Sequence, residues 1–233
     1  MALLPNITAA VVAALHTPTS CIPDGAVALS YTNEAMSPLH RLMIQRQPAC
    51  FLCRLVSVCF GTAVGESTRR CIATAAVPES TYVKKRRHGP YAAFAWLKWL
   101  LLRDALRAAS VALFVDADVL LLNNPFAAAQ AWALSSFDIR FVGERACATH
   151  QCRPRKEPKA SDGSNFRCAL NSGVMLVTSR RLVDAVLDRL PRDLDAAAKL
   201  RDHNWLDQDA ATSVVLSGHF SWCPLPASKF VNL

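Results

Sequence analysis

The feature that most constrains the fold is an unbroken apolar run, Val111–Val115, which is followed directly by Asp116 and, two residues on, by Asp118. Five apolar residues in succession, without the polar alternation of a half-exposed strand, are typical of a strand that is covered on both faces. Strands of this kind belong to mainly parallel sheets with helices on both sides. The run therefore predicts an α/β domain with three layers.

Other segments alternate between strand-like and helix-like patterns. Ser37 followed by Pro38 is typical of a helix start, with serine as the N-cap and proline in the first turn. Hydrophobic residues make up 52% of the chain, which allows a full core. We expect a three-layer α/β domain with a mainly parallel central sheet over residues 25–233, after a loose lead-in over 1–24. We predict strands at 26–31, 51–60, 111–115, 137–143 and 170–178, and helices at 37–46, 91–109, 179–190 and 206–217.

Glycine is scarce, with 8 residues in a chain of 233. The sequence contains neither G-x-G-x-x-G nor G-x-x-x-x-G-K-[ST], so the commonest glycine-rich phosphate loops are absent. A nucleotide, if one binds, must be held in another way, and a metal ion on carboxylates is the obvious substitute. The net charge of +8 is compatible with an anionic ligand but does not identify one.

The pattern Asp-x-Asp occurs three times, at 116/118, 193/195 and 207/209, so only its context is informative. The pair at 193/195 lies in a polar stretch typical of a solvated helix start. The pair at 207/209 begins a helix, where residues i and i+2 point about 200° apart and cannot grip one ion. Only Asp116 and Asp118 follow a buried strand, where ligands of α/β sheets bind. We therefore predict a divalent cation, Mn²⁺ or Mg²⁺, on Asp116 and Asp118.

Lys98 falls on the apolar stripe of the helix that precedes this strand, inside the arc that runs from Leu101 through Phe94 to Leu102 on a helical wheel. A lysine in that position must either find an anion or extend its ammonium group to solvent. Two interpretations stay open. Lys98 snorkels or forms a buried ion pair, or it contacts a phosphate group near the predicted cation.

The chain has nine cysteines, so at least one thiol is unpaired within a monomer. Cys50 and Cys53 form a C-x-x-C pair, which is compatible with a redox or zinc site but lacks a second such pair. Their apolar surroundings favour small buried residues of a strand. Cys147, Cys152 and Cys168 lie in or beside a polar stretch, where a disulfide is expected if the compartment is oxidising.

Five short motifs follow one another along the chain. They are Tyr91-x-x-Phe94-x-Trp96-Leu97-Lys98-Trp99, Leu113-Phe114-Val115-Asp116-Ala117-Asp118-Val119, Asn124-Pro125-Phe126, Asn171-Ser172-Gly173-Val174-Met175-Leu176-Val177 and Leu206-Asp207-Gln208-Asp209-Ala210. With these motifs in this order, the chain resembles over residues 26–232 the nucleotide-diphospho-sugar transferase domain of glycosyltransferase family 77, which is similar in layout to family 8.

The resemblance implies a GT-A-like, Rossmann-type fold and an enzyme that moves a hexose or pentose from a nucleotide-sugar, with UDP-sugars favoured, to a glycan or glycoprotein. It also implies retention of anomeric configuration and a Mn²⁺-type ion. Thr32 and Asn33 would lie near the base or ribose, and Asp207 and Gln208 would face the sugar as catalytic residues. The remaining implied donor or metal contacts are Lys98, Asp116, Asp118, Asn171 and Gly173.

Several expectations and rivals accompany this resemblance. The family pattern continues beyond Leu233 with a further ligand, so we expect the domain to be truncated at its C-terminus. No span or clear signal peptide is apparent, so a secretory or Golgi lumen location is implied by resemblance alone, with any anchor outside this chain. A haloacid-dehalogenase-type phosphatase also fits Asp116-Ala117-Asp118-Val119-Leu120. There are two non-enzymatic alternatives. One is a catalytically silent relative of these enzymes. The other is a basic binding module that uses the charged runs 84–88 and 153–159, although no aromatic residues interleave with these runs to stack on nucleic acid.

Overall fold

The computed structural model gives a mixed α/β fold. The structure describes residues 7–32, 36–47, 49–60, 71–74, 90–122, 124, 126, 136–143, 170–189, 207–225 and 230–232. Its strands are β1 Ala26–Thr32, β2 Leu55–Phe60, β3 Cys71–Thr74, β4 Val111–Val115, β5 Val119–Leu121, β6 Ile139–Gly143, β7 Leu170–Val177, β8 Trp222–Leu225 and β9 Phe230–Asn232. Its helices are α1 Ile7–Leu15, α2 Ser37–Arg46, α3 Ala49–Leu52, α4 Pro90–Ala105, α5 Arg180–Leu187 and α6 Asp207–Leu216.

The central sheet has seven strands in the order β3-β2-β1-β4-β7-β6-β8. β7 runs antiparallel to both of its neighbours, whereas the other neighbouring strands pair in parallel. β5 and β9 form a separate antiparallel pair. The predicted α/β fold with a mainly parallel sheet is therefore confirmed.

β4 lies at the centre and is covered on both faces, as its apolar run predicts. Ala112 and Phe114 belong to the apolar core formed with α1, α4, α5 and α6. Val111, Leu113 and Val115 belong to a second core, which Phe51 of α3 and residues of β5 complete. Because successive side chains of a strand point to opposite faces, one short run supplies both cores and fixes three layers.

The sequence predicts a loose lead-in over residues 1–24, but residues 7–15 of this segment form the helix α1. α1 buries Ile7, Val11 and Ala14 against the same core as α4. These three buried residues are spaced four and three apart, so they lie on one face of the helix. The alanine, proline and threonine content of residues 1–24, with Pro5, Pro18 and Pro23, is what predicts a loose lead-in.

Several boundaries differ from the predictions, at most by four residues. The expected strand over 51–60 begins only at Leu55, because Ala49–Leu52 form the short helix α3, whose Phe51 is buried. α4 ends at Ala105 and not at residue 109, because the backbone beyond Ala105 forms a tighter turn in which Ala108 N–H donates to Ala105 O, three residues back. The N-cap of α2 is Met36 and not Ser37, so Pro38 still falls within the first turn, where its missing N–H costs nothing.

The cysteines also differ from the expectation. Cys50 lies in α3, not on a strand, and forms a disulfide with Cys21, while Cys53 is a free, partly exposed thiol. Cys59 and Cys223 are disulfide-bonded as well. Cys147, Cys152 and Cys168 lie outside the described residues. Within the described ranges, no helix is both long and apolar enough to cross a membrane.

Candidate functional site

The two predicted carboxylates lie where β4 leaves the central sheet. The main chain of Asp116 is fixed on both sides: its N–H donates to Gly173 O at 2.8 Å, and its carbonyl accepts from Val119 N at 3.2 Å. Ala117 and Asp118 form a turn into β5, so the chain between the two carboxylates is not extended. The carboxylate of Asp118 is nonetheless close enough to raise the pKa of Asp116.

Lys98 reaches this edge of the sheet from α4 and is only 4% exposed. Its Nζ lies 3.4 Å from both carboxylate oxygens of Asp116 and 3.5 Å from Asp207 Oδ2. It also donates to Ser172 Oγ at 3.1 Å. The buried ion pair, one of the two interpretations that the sequence left open, is present. The phosphate contact stays a prediction.

The electrostatics of Asp116 reflect a crowded set of charges. Burial raises the pKa of Asp116 to about 6, the positive charge of Lys98 opposes this rise, and the carboxylates of Asp118 and Asp207 add to it. Among the described residues, Asp116 and Asp207 share the ammonium group of Lys98, and Asp118 adds a third negative charge nearby. An arrangement with this surplus of negative charge gains from an additional cation.

β7 brings a second group of predicted residues to the same place. Asn171 Oδ1 accepts from Gly173 N–H at 2.8 Å, and Gln208 Oε1 accepts from Ser172 N–H at 3.4 Å. A Cβ atom at Gly173 would lie 2.9 Å from Asn171 Oδ1 and 3.1 Å from Asp116 Oδ2. Glycine is favoured here because the side chains of Asn171 and Asp116 both approach the backbone of β7 closely, and a Cβ would displace them.

Thr32, predicted near the base or ribose, ends β1 and is buried. β1 pairs in parallel with β4, so its carboxyl end lies at the same edge of the sheet as that of β4. Asn33 lies outside the described residues. The proposed contact of Thr32 and Asn33 with a nucleotide stays a prediction.

The donor set fits a cation that completes its coordination elsewhere. Across the described part of the chain, no group of three His, Cys, Asp or Glu side chains is arranged to hold a metal ion. Asp116 and Asp118 nevertheless offer hard oxygen ligands in a region of surplus negative charge. Ions such as Mg²⁺ are commonly held by one or two carboxylates together with substrate phosphates. The pair fits that role, with the remaining ligands supplied by a bound substrate.

The structure adds two residues that received no role from the sequence, Trp99 and Ser172. Trp99 Nε1 donates to Asp207 Oδ2 at 3.4 Å, and Ser172 contacts Lys98 through both its hydroxyl and its carbonyl oxygen. Trp99 is separated from Asp207 by 108 residues, so no local pattern connects them. The one available signal was that Trp99 follows the buried Lys98 directly.

No protein-family model and no curated protein matches this sequence. The chain is similar to solved structures of glycosyltransferases. With galactosyltransferase LgtC, in complex with donor and acceptor sugar analogues, the TM-score is 0.49 at 10% identity, over 86% of this chain and 73% of that one. With mouse xyloside xylosyltransferase 1 the TM-score is 0.47 at 13% identity, over 87% of this chain and 86% of that one. With the bifunctional glycosyltransferase WbbM the TM-score is 0.48 at 10% identity, over 91% of this chain and 40% of that one. Scores and identities this low do not decide the family or the activity of this chain.

Proposed function

We propose that this protein is a metal-dependent glycosyltransferase that moves a hexose or pentose from a nucleoside-diphosphate donor to a glycan or glycoprotein acceptor. One observation carries the proposal. Lys98 contacts both Asp116 and Asp207, which come from motifs about 90 residues apart in the chain. The contact joins the predicted metal site and the predicted sugar-facing site into one site at the carboxyl edge of the sheet, where α/β folds bind ligands.

Asp116 and Asp118 are the residues that would hold the cation. Bound there, a divalent cation would neutralise the negative charge that develops on the departing nucleoside diphosphate. Lys98 holds the Asp116 carboxylate in place and supplies a positive charge beside it. UDP-sugars are the favoured donors, with Thr32 and Asn33 near the base or ribose.

The sugar would lie against β7 and the start of α6. Asn171 and the close-packed Gly173 line this position, and Asp207 and Gln208 lie at the first residues of α6. Gln208 is anchored to the Ser172 N–H and is too weak a nucleophile for a covalent step, but its amide oxygen can stabilise positive charge on the sugar. This pair supports transfer with retention of the anomeric configuration.

The disulfides support a protein that matures in an oxidising compartment. Cys21 and Cys50 are joined to each other, and Cys59 and Cys223 are each disulfide-bonded as well. Structural disulfides persist in secretory and extracellular environments and are rare in the cytosol. This chemistry agrees with a secretory or Golgi lumen location, which we propose for the chain.

The experiment measures release of nucleoside diphosphate from a panel of UDP- and GDP-sugars, with Mn²⁺, with Mg²⁺ and with a chelator. Wild-type protein should turn over at least one donor only when the metal is present. Asp116→Ala and Asp118→Ala should abolish turnover. Asp184→Ala is the matched control, because Asp184 lies half exposed on α5 and pairs only with Arg180 among the described residues. Donor turnover that persists in both site variants would refute the metal site.

The same preparation separates the rival functions. A haloacid-dehalogenase-type phosphatase would form a covalent phosphate on Asp116 when given a phosphomonoester, and intact-mass measurement detects it. A basic binding module would bind RNA or DNA with a steep dependence on salt and without any response to Mn²⁺ or nucleotide-sugars. The proposed glycosyltransferase shows neither behaviour.

A further inference from the structure

Trp99 follows Lys98 on α4 and is completely buried. Its indole Nε1 donates to Asp207 Oδ2 at 3.4 Å, and Lys98 Nζ lies 3.5 Å from the same oxygen. Within the described residues, no hydrogen bond or ion pair reaches the other carboxylate oxygen of Asp207. Two neighbouring side chains of one helix therefore hold the same oxygen of Asp207.

The two donors differ in how firmly they hold Asp207. Lys98 divides its ammonium group among Asp116, Asp207 and Ser172, and its long side chain can adjust as charges around it change. The indole of Trp99 carries a single N–H that can only donate, and its ring is fixed in the core. Trp99 is therefore the contact that keeps its geometry when a ligand draws Lys98 towards Asp116.

We infer that Trp99 is a positioning residue that fixes the carboxylate of Asp207 so that its second oxygen faces the donor sugar. The role rests on the proposed function, in which Asp207 faces the sugar. Without the indole N–H, the carboxylate can turn about its Cβ–Cγ bond while its charge and its place in the chain stay the same. Small errors in the orientation of a reacting group reduce the rate far more than they reduce binding.

Trp96 gives a matched control on the same helix. It is 1% exposed, against 0% for Trp99, and its Nε1 has no hydrogen-bond partner in the described part of the protein. Trp96→Phe and Trp99→Phe therefore remove the same atoms from the core, and only Trp99→Phe removes a donor to Asp207. Trp99→Phe should lose more stability than Trp96→Phe, because it takes a donor from a buried carboxylate whereas Trp96→Phe removes an N–H that has no partner among the described residues. The kinetics are therefore compared under conditions in which both variants are folded, and a difference in kcat then reports on the hydrogen bond.

The test measures kcat and donor KM for wild type and both variants with the donor that wild type turns over. Trp99→Phe should lower kcat by about 10- to 100-fold and leave KM within a few fold, whereas Trp96→Phe should leave kcat unchanged. An unchanged kcat in Trp99→Phe, or an equal loss in both variants, overturns the positioning role and leaves the proposed function intact. If wild type turns over no donor, the proposed function fails and the positioning role fails with it.

A second readout does not depend on turnover. In protein labelled with ¹⁵N at its tryptophan side chains, the two Phe variants identify the indole resonances of Trp96 and Trp99. Asp207→Asn should shift the Trp99 resonance and leave that of Trp96 in place. Equal responses of the two resonances, or no response at Trp99, would show that the indole is not bonded to Asp207 and would overturn the inference.

Discussion

Replacing Asp116 with asparagine should stabilise the metal-free protein while it destroys the proposed site. Burial and two neighbouring carboxylates raise the pKa of Asp116 from 3.8 to about 6, in spite of Lys98. Each pKa unit corresponds to about 1.4 kcal/mol, so the charged form costs at most about 3 kcal/mol in the folded state. Because 28% of the side chain is exposed, solvent reduces this cost, and we expect Asp116→Asn to gain about 1–3 kcal/mol at pH 7.5.

The dependence on pH follows from linkage. Asp116 binds its proton more tightly when folded than when unfolded, so its protonation favours folding. That contribution is complete below about pH 3.8 and is lost as the pH rises through about 6. The difference between Asp116→Asn and wild type should therefore be largest above pH 6 and close to zero below pH 4.

Denaturant titrations at pH 7.5 and pH 4, with a chelator present, measure these free energies of unfolding. Asp184→Asn, a half-exposed carboxylate on α5, is the control and should change stability by less than about 0.5 kcal/mol. The reasoning is wrong if Asp116→Asn is as stable as wild type or less stable at pH 7.5, because the Lys98 ion pair would then outweigh the burial of Asp116.

The remaining predictions concern single positions elsewhere in the structure. Gly173→Ala should reduce donor turnover by at least about 10-fold in steady-state assays, because its Cβ would lie 2.9 Å from Asn171 Oδ1 and 3.1 Å from Asp116 Oδ2 and displace both side chains. Turnover like that of wild type would contradict this prediction. Cys21→Ser opens a disulfide that spans 29 residues and should lower the free energy of unfolding by about 3–4 kcal/mol. Cys53→Ser, at the free thiol, is the control and should change that free energy little. Equal losses of the two variants in denaturant titrations would contradict this prediction. Burial lowers the pKa of His40 from 6.5 to about 4, so its neutral form favours folding. As the pH falls from 7.5 to 5, protonation of His40 in the unfolded state should therefore lower the free energy of unfolding of wild type by about 2 kcal/mol. His40→Leu should remove that part of the loss in unfolding titrations, and an unchanged pH dependence would show that His40 does not titrate in this way.

Local patterns in the sequence were sufficient for the centre of the fold. The apolar run of β4 gave its bounds correctly, because each of its residues is buried and neighbouring turns limit it on both sides. The buried position of Lys98 followed from helical spacing alone. Asp116 and Gly173 were selected from short motifs, and the structure places them in contact.

Features that depend on distant parts of the chain could not be predicted. The partner of Lys98 on α6 is a carboxylate 109 residues away, at Asp207, and helical spacing indicates only that some anion is needed. The disulfide between Cys21 and Cys50 depends on α3 packing against the N-terminal segment, which no spacing rule reveals. α1 was not predicted because the composition of residues 1–24, rich in alanine, proline and threonine, favours a loose segment, and only the packing of α1 against α4 makes it a helix. In each case tertiary packing, and not local propensity, decides the outcome.

The account as a whole depends on a cation that binds a nucleoside diphosphate through Asp116 and Asp118. Calorimetric titration of UDP and of GDP into wild type and Asp118→Asn, with and without Mn²⁺, measures this directly. We predict that wild type binds one of the two nucleotides with Mn²⁺ and at least about 10-fold more weakly without it, and that Asp118→Asn loses the Mn²⁺-dependent part. Binding of neither nucleotide to wild type, or equal binding by both proteins with Mn²⁺, would contradict the account.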